Sequence, residues 1–217
     1  MQVVEIFSSI EGEGKRAGIL CTFVRLAGCN LRCSYCDTVY SQHYSDGVTM
    51  TVSEVVKACT EFGVKAITLT GGEPLIHDDV ERLIHELNRA GFEVNIETNG
   101  SVNINNMIER FEYPNSFFTV DYKCPSSGMG SSMLLINFCH FTEKDVLKFV
   151  VGSREDLMAA YGVITSLKPK AQIYFSPVWG KITMVEIVEF MKVNKLTECK
   201  IQVQLHKIIW PVDKRGV

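Results

Sequence analysis

Stretches rich in β-branched and aromatic residues alternate with stretches whose apolar residues recur at helical spacing along the 217-residue chain. The segment Leu20–Leu26 is β-rich and is bounded by Gly18 and Gly28, which predicts a strand. Thr51-x-x-Glu54 is a capping box that opens a helix running to about Phe62. Lys65–Thr70 reads as a short buried strand ending in Gly71-Gly72-Glu73-Pro74. Asp78–Ala90 is helical, with Val80, Leu83, Ile84 and Leu87 on one face, and Phe92–Glu97 is a strand ending in Thr98-Asn99-Gly100. Further strands are expected at Ser116–Asp121, Asp145–Val151, Gln172–Phe175 and Cys199–Leu205. Ser153-x-x-Asp156 and Thr183-x-x-Glu186 cap helices that reach about Leu167 and Val193.

Strand–helix alternation of this kind implies an α/β fold with a mostly parallel sheet and right-handed crossovers. About six βα units fit the chain. A complete eight-unit barrel takes roughly 250 residues, so an incomplete, shortened (β/α) barrel is expected. No linker or low-complexity stretch interrupts the sequence, and residues 1–217 read as one domain. In such folds ligands bind at the carboxyl ends of the strands. The unusual polar and glycine-rich segments fall there, at 28–38, 71–74, 97–100, 121–128 and 176–180.

Composition adds a core and removes several functions. Hydrophobic residues make up 46% and charged residues 22%, which is enough apolar material for a folded interior. With a net charge of −3 and no run of Lys or Arg, a nucleic-acid partner is not expected. No apolar stretch reaches the roughly 18 residues of a membrane span, and the start lacks the pattern of a signal peptide. The expectation is a cytoplasmic protein with no membrane partner.

Of eight cysteines, three crowd together as Cys29-Asn-Leu-Arg-Cys33-Ser-Tyr-Cys36, in the loop after the first β-rich segment. Thiolates so spaced are metal ligands. Zinc in a closed site takes four ligands, usually from paired Cys-x2-Cys units, and no second pair follows. Three thiolates suit three irons of a 4Fe–4S cube and leave the fourth iron open for chemistry. Three core cysteines or an incomplete zinc site are the bland readings of the same residues. Cys21 and Cys59 read as small buried hydrophobes.

Cys29-x3-Cys33-x2-Cys36, with Tyr35 before the third cysteine, resembles the cluster motif of the radical S-adenosylmethionine (SAM) enzymes. Gly71-Gly72-Glu73-Pro74 is similar to the methionine-binding turn of that superfamily. Ile10-Glu11-Gly12-Glu13-Gly14, Arg25, Cys36-Asp37-Thr38, Glu97-Thr98-Asn99-Gly100 and Lys214-Arg215-Gly216-Val217 narrow the resemblance to the 7-carboxy-7-deazaguanine synthase family, over nearly the whole chain.

The resemblance implies a reaction. That family converts 6-carboxy-5,6,7,8-tetrahydropterin to 7-carboxy-7-deazaguanine, toward queuosine and related deazapurines. A 4Fe–4S cluster, SAM and Mg²⁺ serve it. Reductive cleavage of SAM gives a 5′-deoxyadenosyl radical, which takes a hydrogen from C6 of the pterin, and the ring contracts with loss of ammonia. The resemblance also implies a homodimer and an electron donor such as flavodoxin or ferredoxin.

Residue roles follow from the same resemblance. Cys29, Cys33 and Cys36 hold the cluster, and Thr38 gives Mg²⁺ a hydroxyl oxygen. Tyr35, Asp37, Gly72, Glu73, Glu97, Asp121, Tyr122, Lys123 and Ser176 contact SAM. Ile10, Glu11, Gly12, Arg25, Thr70, His206 and Val217 contact the pterin, with Arg25 suited to its carboxylate. The chain departs from the family at Glu11, where Gln is frequent, and at Asp121-Tyr122-Lys123, where Ser-Pro-Lys is common. Two alternatives use overlapping features: a glycyl-radical-enzyme activase with the same cluster motif, and a non-catalytic zinc-binding module.

Overall fold

In a computed structural model, which describes residues 1–105, 107, 115–212 and 214–217, nine strands form one sheet. The strands are β1 (Gln2–Ile10), β2 (Leu20–Leu26), β3 (Val48–Thr49), β4 (Ala66–Gly71), β5 (Glu93–Thr98), β6 (Ser116–Lys123), β7 (Val146–Val151), β8 (Gln172–Pro177) and β9 (Cys199–Ile201). Their order is β3-β1-β2-β4-β5-β6-β7-β8-β9, and the sheet is open. Every pairing from β2 to β9 is parallel, while β1 lies antiparallel to both β2 and β3. Helices α1 (Val52–Glu61), α2 (Val80–Arg89), α3 (Arg154–Leu167), α4 (Met184–Val193) and α5 (Leu205–Ile209) are described alongside the sheet. The architecture is the expected partial barrel.

Local chemistry explains the helix starts. Thr51 and Glu54, and likewise Thr183 and Glu186, exchange side-chain and backbone hydrogen bonds as capping boxes. Ser153 caps α3, but Asp156 does not complete a box. Its carboxylate instead accepts from the Gly152 amide at 2.7 Å and the Ser126 amide at 2.8 Å, tying the loops after β6 and β7 together.

Two elements differ from expectation. β1 is a nine-residue strand that the sequence pattern did not mark. Most of it is only half-buried, so its residues do not alternate cleanly between apolar and polar. The predicted strand Cys199–Leu205 stops at Ile201, and a short helix begins at Leu205. The Leu205 amide turns away to donate to the Gly12 carbonyl at 3.1 Å, which draws the segment onto the β1–β2 turn.

The parallel strands carry two chemically distinct faces. Val24, Leu26, Ile67, Leu69, Val94, Ile96, Phe118, Val120, Leu147, Phe149, Ile173 and Phe175 join α1–α4 residues in one apolar core. The alternate positions, Arg25, Thr68, Thr70, Asn95, Glu97, Thr119, Asp121, Lys148 and Ser176, belong to the opposite face. Parallel sheets covered on both sides usually read as continuous apolar runs. Here the concave side is polar.

The cysteine loop leaves β2 and packs directly on the end of β4. The Gly72 amide donates to the Leu26 carbonyl at 3.0 Å, and the Glu73 amide to that of Gly28 at 2.8 Å. A Cβ on Gly72 would sit 2.1 Å from the Gly28 oxygen, a distance no side chain tolerates. The glycine therefore accommodates the protein's own backbone. Gly72→Ala is expected to cost roughly 1–3 kcal/mol, measured as a lower denaturant midpoint at unchanged slope.

Candidate active site

A cavity of about 780 Å³ opens on the polar side of the sheet, within the range of small-molecule sites. It takes in Cys29, Cys33 and Cys36 from the loop after β2, with Tyr35, Asp37 and Thr38 beside them. Ile10, Glu11 and Gly12 come from the β1–β2 turn, Arg25 from β2, Thr70 and Gly72 from β4, Glu97 from β5, and Asp121 and Lys123 from β6. His206 and Val217 close it from the C-terminal segment.

Three expected residues do not line it. Glu73 is fully buried, and its carboxylate accepts from the Asn99 amide at 2.6 Å, the Leu75 amide at 3.0 Å and the Thr98 hydroxyl at 2.8 Å. Burial pushes its carboxyl above the usual value even so. Glu73 thus fastens the end of β4 to that of β5. Tyr122 points to the other face and packs against Phe138 and Phe149. Ser176 is buried and donates to Glu13 at 2.6 Å.

The three cysteines are free thiols. Cys29 Sγ accepts from the Leu31 amide at 3.4 Å and from Asn99 Nδ2 at 3.9 Å. Such donors favour a ligating thiolate. Burial raises the thiol pKa of Cys29 and Cys33, so coordination must displace their protons. Among the described residues, no three His, Cys, Asp or Glu side chains converge on a position for a single metal ion. The three thiols all line the cavity, and thiolates are the donors that the irons of a 4Fe–4S cluster take. At Thr38 the hydroxyl donates to Asp37 Oδ1 at 2.9 Å, and Asp37 Oδ2 lies 3.2 Å from Lys207 Nζ.

The side of the cavity toward β1 and β2 is built from charges. Arg25 Nε donates to Glu5 at 2.7 Å, and Tyr40 donates to the same oxygen at 3.1 Å. The guanidinium lies 5.9 Å from the centre of the Phe7 ring and 5.8 Å from that of Tyr40. His206 packs so closely that a Cβ on Gly12 would lie 2.3 Å from Nδ1. Burial pushes its imidazole below the usual pKa, toward the neutral form.

Glu13 and Lys148 carried no assigned role in the sequence, and both line the cavity. Glu13 lies 3.1 Å from Lys148 Nζ and also accepts from Ser176 and from Gln202 Nε2 at 3.3 Å. Burial opposes charge on each, but the carboxylates of Asp121 and Glu13 hold the Lys148 ammonium well above its usual pKa, and Lys148 and Ser176 hold Glu13 below its own. One signal for Lys148 is legible in the sequence: a single charge inside the otherwise apolar run Val146–Val151, where a buried cation needs an anionic partner.

Comparison with known proteins fits this arrangement. Residues 24–126 match the model of the radical SAM superfamily. A 7-carboxy-7-deazaguanine synthase from Clostridium acetobutylicum is 47% identical over 100% of this chain and 99% of its own length. The chain belongs to the 7-carboxy-7-deazaguanine synthase family. Another family relative, from Methanospirillum hungatei, is 40% identical over 96% of this chain and 85% of its own. The fold matches the crystal structure of QueE from Escherichia coli with a TM-score of 0.74 at 22% identity, covering 94% of each chain. Streptococcus suis SuiB, solved with SAM bound, shares the fold at a TM-score of 0.58 and 11% identity over 83% of this chain and 48% of that one. A 7-carboxy-7-deazaguanine synthase is a radical SAM enzyme, and that class works with a 4Fe–4S cluster and SAM. Among the described residues, no helix is long and apolar enough to cross a membrane.

Glu11 supplies a pH test. It is 3% exposed, accepts from Thr68 Oγ1 at 2.5 Å and lies 3.8 Å from Arg16. Desolvation and the nearby Glu97 charge raise its pKa from 4.5 to about 7. The folded protein therefore holds this proton more tightly than the unfolded chain. The resulting stability is full below pH 4.5 and is lost as pH rises through about 7. The change is about 3 kcal/mol. Glu11→Gln lacks this titration, so its melting temperature relative to wild type is expected to rise by roughly 6–12 °C between pH 4.5 and pH 8. Thermal melts that keep a constant gap across that range would contradict the raised pKa.

Proposed function

We propose that this enzyme converts 6-carboxy-5,6,7,8-tetrahydropterin to 7-carboxy-7-deazaguanine, removing hydrogen at C6 and contracting the ring with loss of ammonia. One observation carries the reading: a single cavity holds the cysteine trio together with Arg25, Thr70, Glu97, His206 and the Ile10–Gly12 turn. When bound, the cluster and SAM supply one-electron bond cleavage and hydrogen abstraction.

The chain's own residues do the placing. Cys29, Cys33 and Cys36 ligate the cluster. Tyr35, Asp37, Gly72, Glu97, Asp121 and Lys123 surround SAM. Glu73, Tyr122 and Ser176 act from behind the wall, by holding strand ends and neighbouring side chains in place. Arg25 takes the pterin carboxylate bidentately, while Glu5 fixes the guanidinium plane. Ile10, Glu11, Gly12, Thr70, His206 and Val217 enclose the rest of the ring. Thr38 contributes an oxygen to Mg²⁺, whose remaining positions go to water and substrate oxygens, as is usual for a hard cation. A low-potential donor of the flavodoxin or ferredoxin class and a homodimeric assembly belong to the same reading, which places the enzyme in the cytoplasm.

The test is anaerobic reconstitution with iron and sulfide, followed by incubation with the carboxylated pterin, SAM and a reductant, with products read by mass spectrometry. Formation of 7-carboxy-7-deazaguanine is expected. An intact pterin beside cleaved SAM would point to another substrate. Cys33→Ala is expected to abolish the cluster's visible absorption and all turnover while the circular dichroism stays near wild type. Thr38→Ala is expected to raise the Mg²⁺ concentration for half-maximal rate by about tenfold, the loss of one metal–oxygen contact.

A further inference from the structure

One side-chain amide touches a sulfur of the cysteine trio. Asn99 follows β5, is buried and lines the cavity beside the cysteine loop. It carried no assigned role in the sequence. Its Nδ2 donates to Cys29 Sγ at 3.9 Å, and the Leu31 amide donates to the same sulfur at 3.4 Å. The backbone of Asn99 is fixed as well, because its amide donates to the buried Glu73 carboxylate at 2.6 Å.

A primary amide has a donor end and an acceptor end, and here its neighbours decide which end meets the sulfur. Asn99 Oδ1 accepts from the Ser101 hydroxyl at 2.6 Å and from the Ser101 amide at 2.9 Å. The same hydroxyl accepts from Asn30 Nδ2 at 2.7 Å, and Asn30 Oδ1 accepts one hydrogen of Asn99 Nδ2 at 3.0 Å. The three side chains close a ring in which every hydrogen points in the same sense. The Ser101 amide can only donate, so turning the Asn99 amide over would set donor against donor there. One hydrogen of Nδ2 is left outside the ring, and Cys29 Sγ is the acceptor it meets.

We propose that Asn99 is a positioning residue for the iron–sulfur cluster: its amide, locked by Ser101 and Asn30, donates a hydrogen bond to the Cys29 thiolate and makes the cluster easier to reduce. This rests on the reading above that Cys29 ligates the cluster. Reduction adds one electron from a low-potential reductant and moves no proton, so Asn99 keeps both amide hydrogens throughout. The added electron increases the negative charge shared by the ligating sulfurs. A donor fixed at one of them therefore favours the reduced form over the oxidised one, and hydrogen bonds to the sulfurs are among the controls of such potentials.

The experiment is a mediated redox titration of the anaerobic, cluster-loaded enzyme without SAM or pterin, followed by electron paramagnetic resonance, with iron analysis and thermal melts alongside. Asn99→Leu is close in volume and lacks the donor. It is expected to shift the reduction equilibrium about threefold toward the oxidised cluster, which at about 59 mV per decade is a midpoint about 28 mV lower. Asn99→Asp keeps the acceptor for Ser101 and turns a negative oxygen to the sulfur, so a shift of about tenfold, or about 59 mV, is expected. Asn137→Ala is the control: Asn137 ties the same loop by donating to the Gly100 and Val102 carbonyls at 3.2 and 2.9 Å, away from the sulfurs. It is expected to lower the melting temperature while the midpoint stays within about twofold, or about 18 mV, of wild type. If Asn99→Leu does not fold, Asn99→Ala replaces it, with the same expected fall. A wild-type midpoint in Asn99→Leu or Asn99→Ala would overturn the proposal and leave Cys29 standing as a ligand. An equal fall in Asn99→Leu and Asn137→Ala would overturn it in favour of loop packing. A Cys29→Ala protein that takes up the wild-type amount of iron would overturn the ligand reading, and the proposal with it.

Discussion

An open sheet needs something to hold its two sides around a cavity, and here Glu13 does so. It sits in the turn after β1, near one edge, yet its carboxylate is held by Lys148 on β7, Ser176 on β8 and Gln202 beyond β9. The Gly14 amide donates to Gln202 at 2.7 Å, and the Leu205 amide to the Gly12 carbonyl, on the same seam. No ladder of backbone hydrogen bonds joins β1 to β9. Side-chain charge takes its place, and breaking such a pair leaves a buried ion uncompensated, typically a loss of several kcal/mol. The position of the Ile10–Gly12 turn, and with it one wall of the cavity, follows from this clasp.

The concave face shows why a partial barrel can serve as an enzyme. In a closed eight-stranded barrel the interior is filled by bulky apolar layers. Here the inward positions on five successive strands carry arginine, threonine, asparagine, glutamate, aspartate and lysine. Such groups are stable only because each finds a partner: Arg25 with Glu5, Thr70 with Glu97, Thr119 with Asn95, Asp121 with Lys123. The site is thus a set of mutually satisfied charges with a few bonding positions left over.

Much of this was legible from residues alone. The strand–helix rhythm, the three helix caps and the polar segments at strand ends are local signals, and they located the cavity correctly. The half-buried strand β1 gave no clean period, and β9 was overextended because the backbone of Leu205 is captured from a distance. At the site, sequence spacing placed the cysteines but could not say which way Glu73 points. Of the two residues of this turn expected to touch SAM, Gly72 lines the cavity although the cysteine loop crowds it, while Glu73 is consumed by β5. Glu13 and Lys148 escaped because their importance arises from a meeting across the sheet, 135 residues apart.

The cysteine loop is stitched down by bonds that owe nothing to iron. Gly28 and Cys29 donate to Ser41 and Gln42, Ser34 donates to Ser127 through its amide and to Ser126 through its hydroxyl, and Glu73 holds Gly28 from below. In zinc fingers the inorganic centre drives folding, and its removal unravels the chain. In this protein the loop's own hydrogen bonds share in shaping the socket. A substitution that removes one of them, at Ser34 for instance, would loosen the set of three thiols without touching any cysteine.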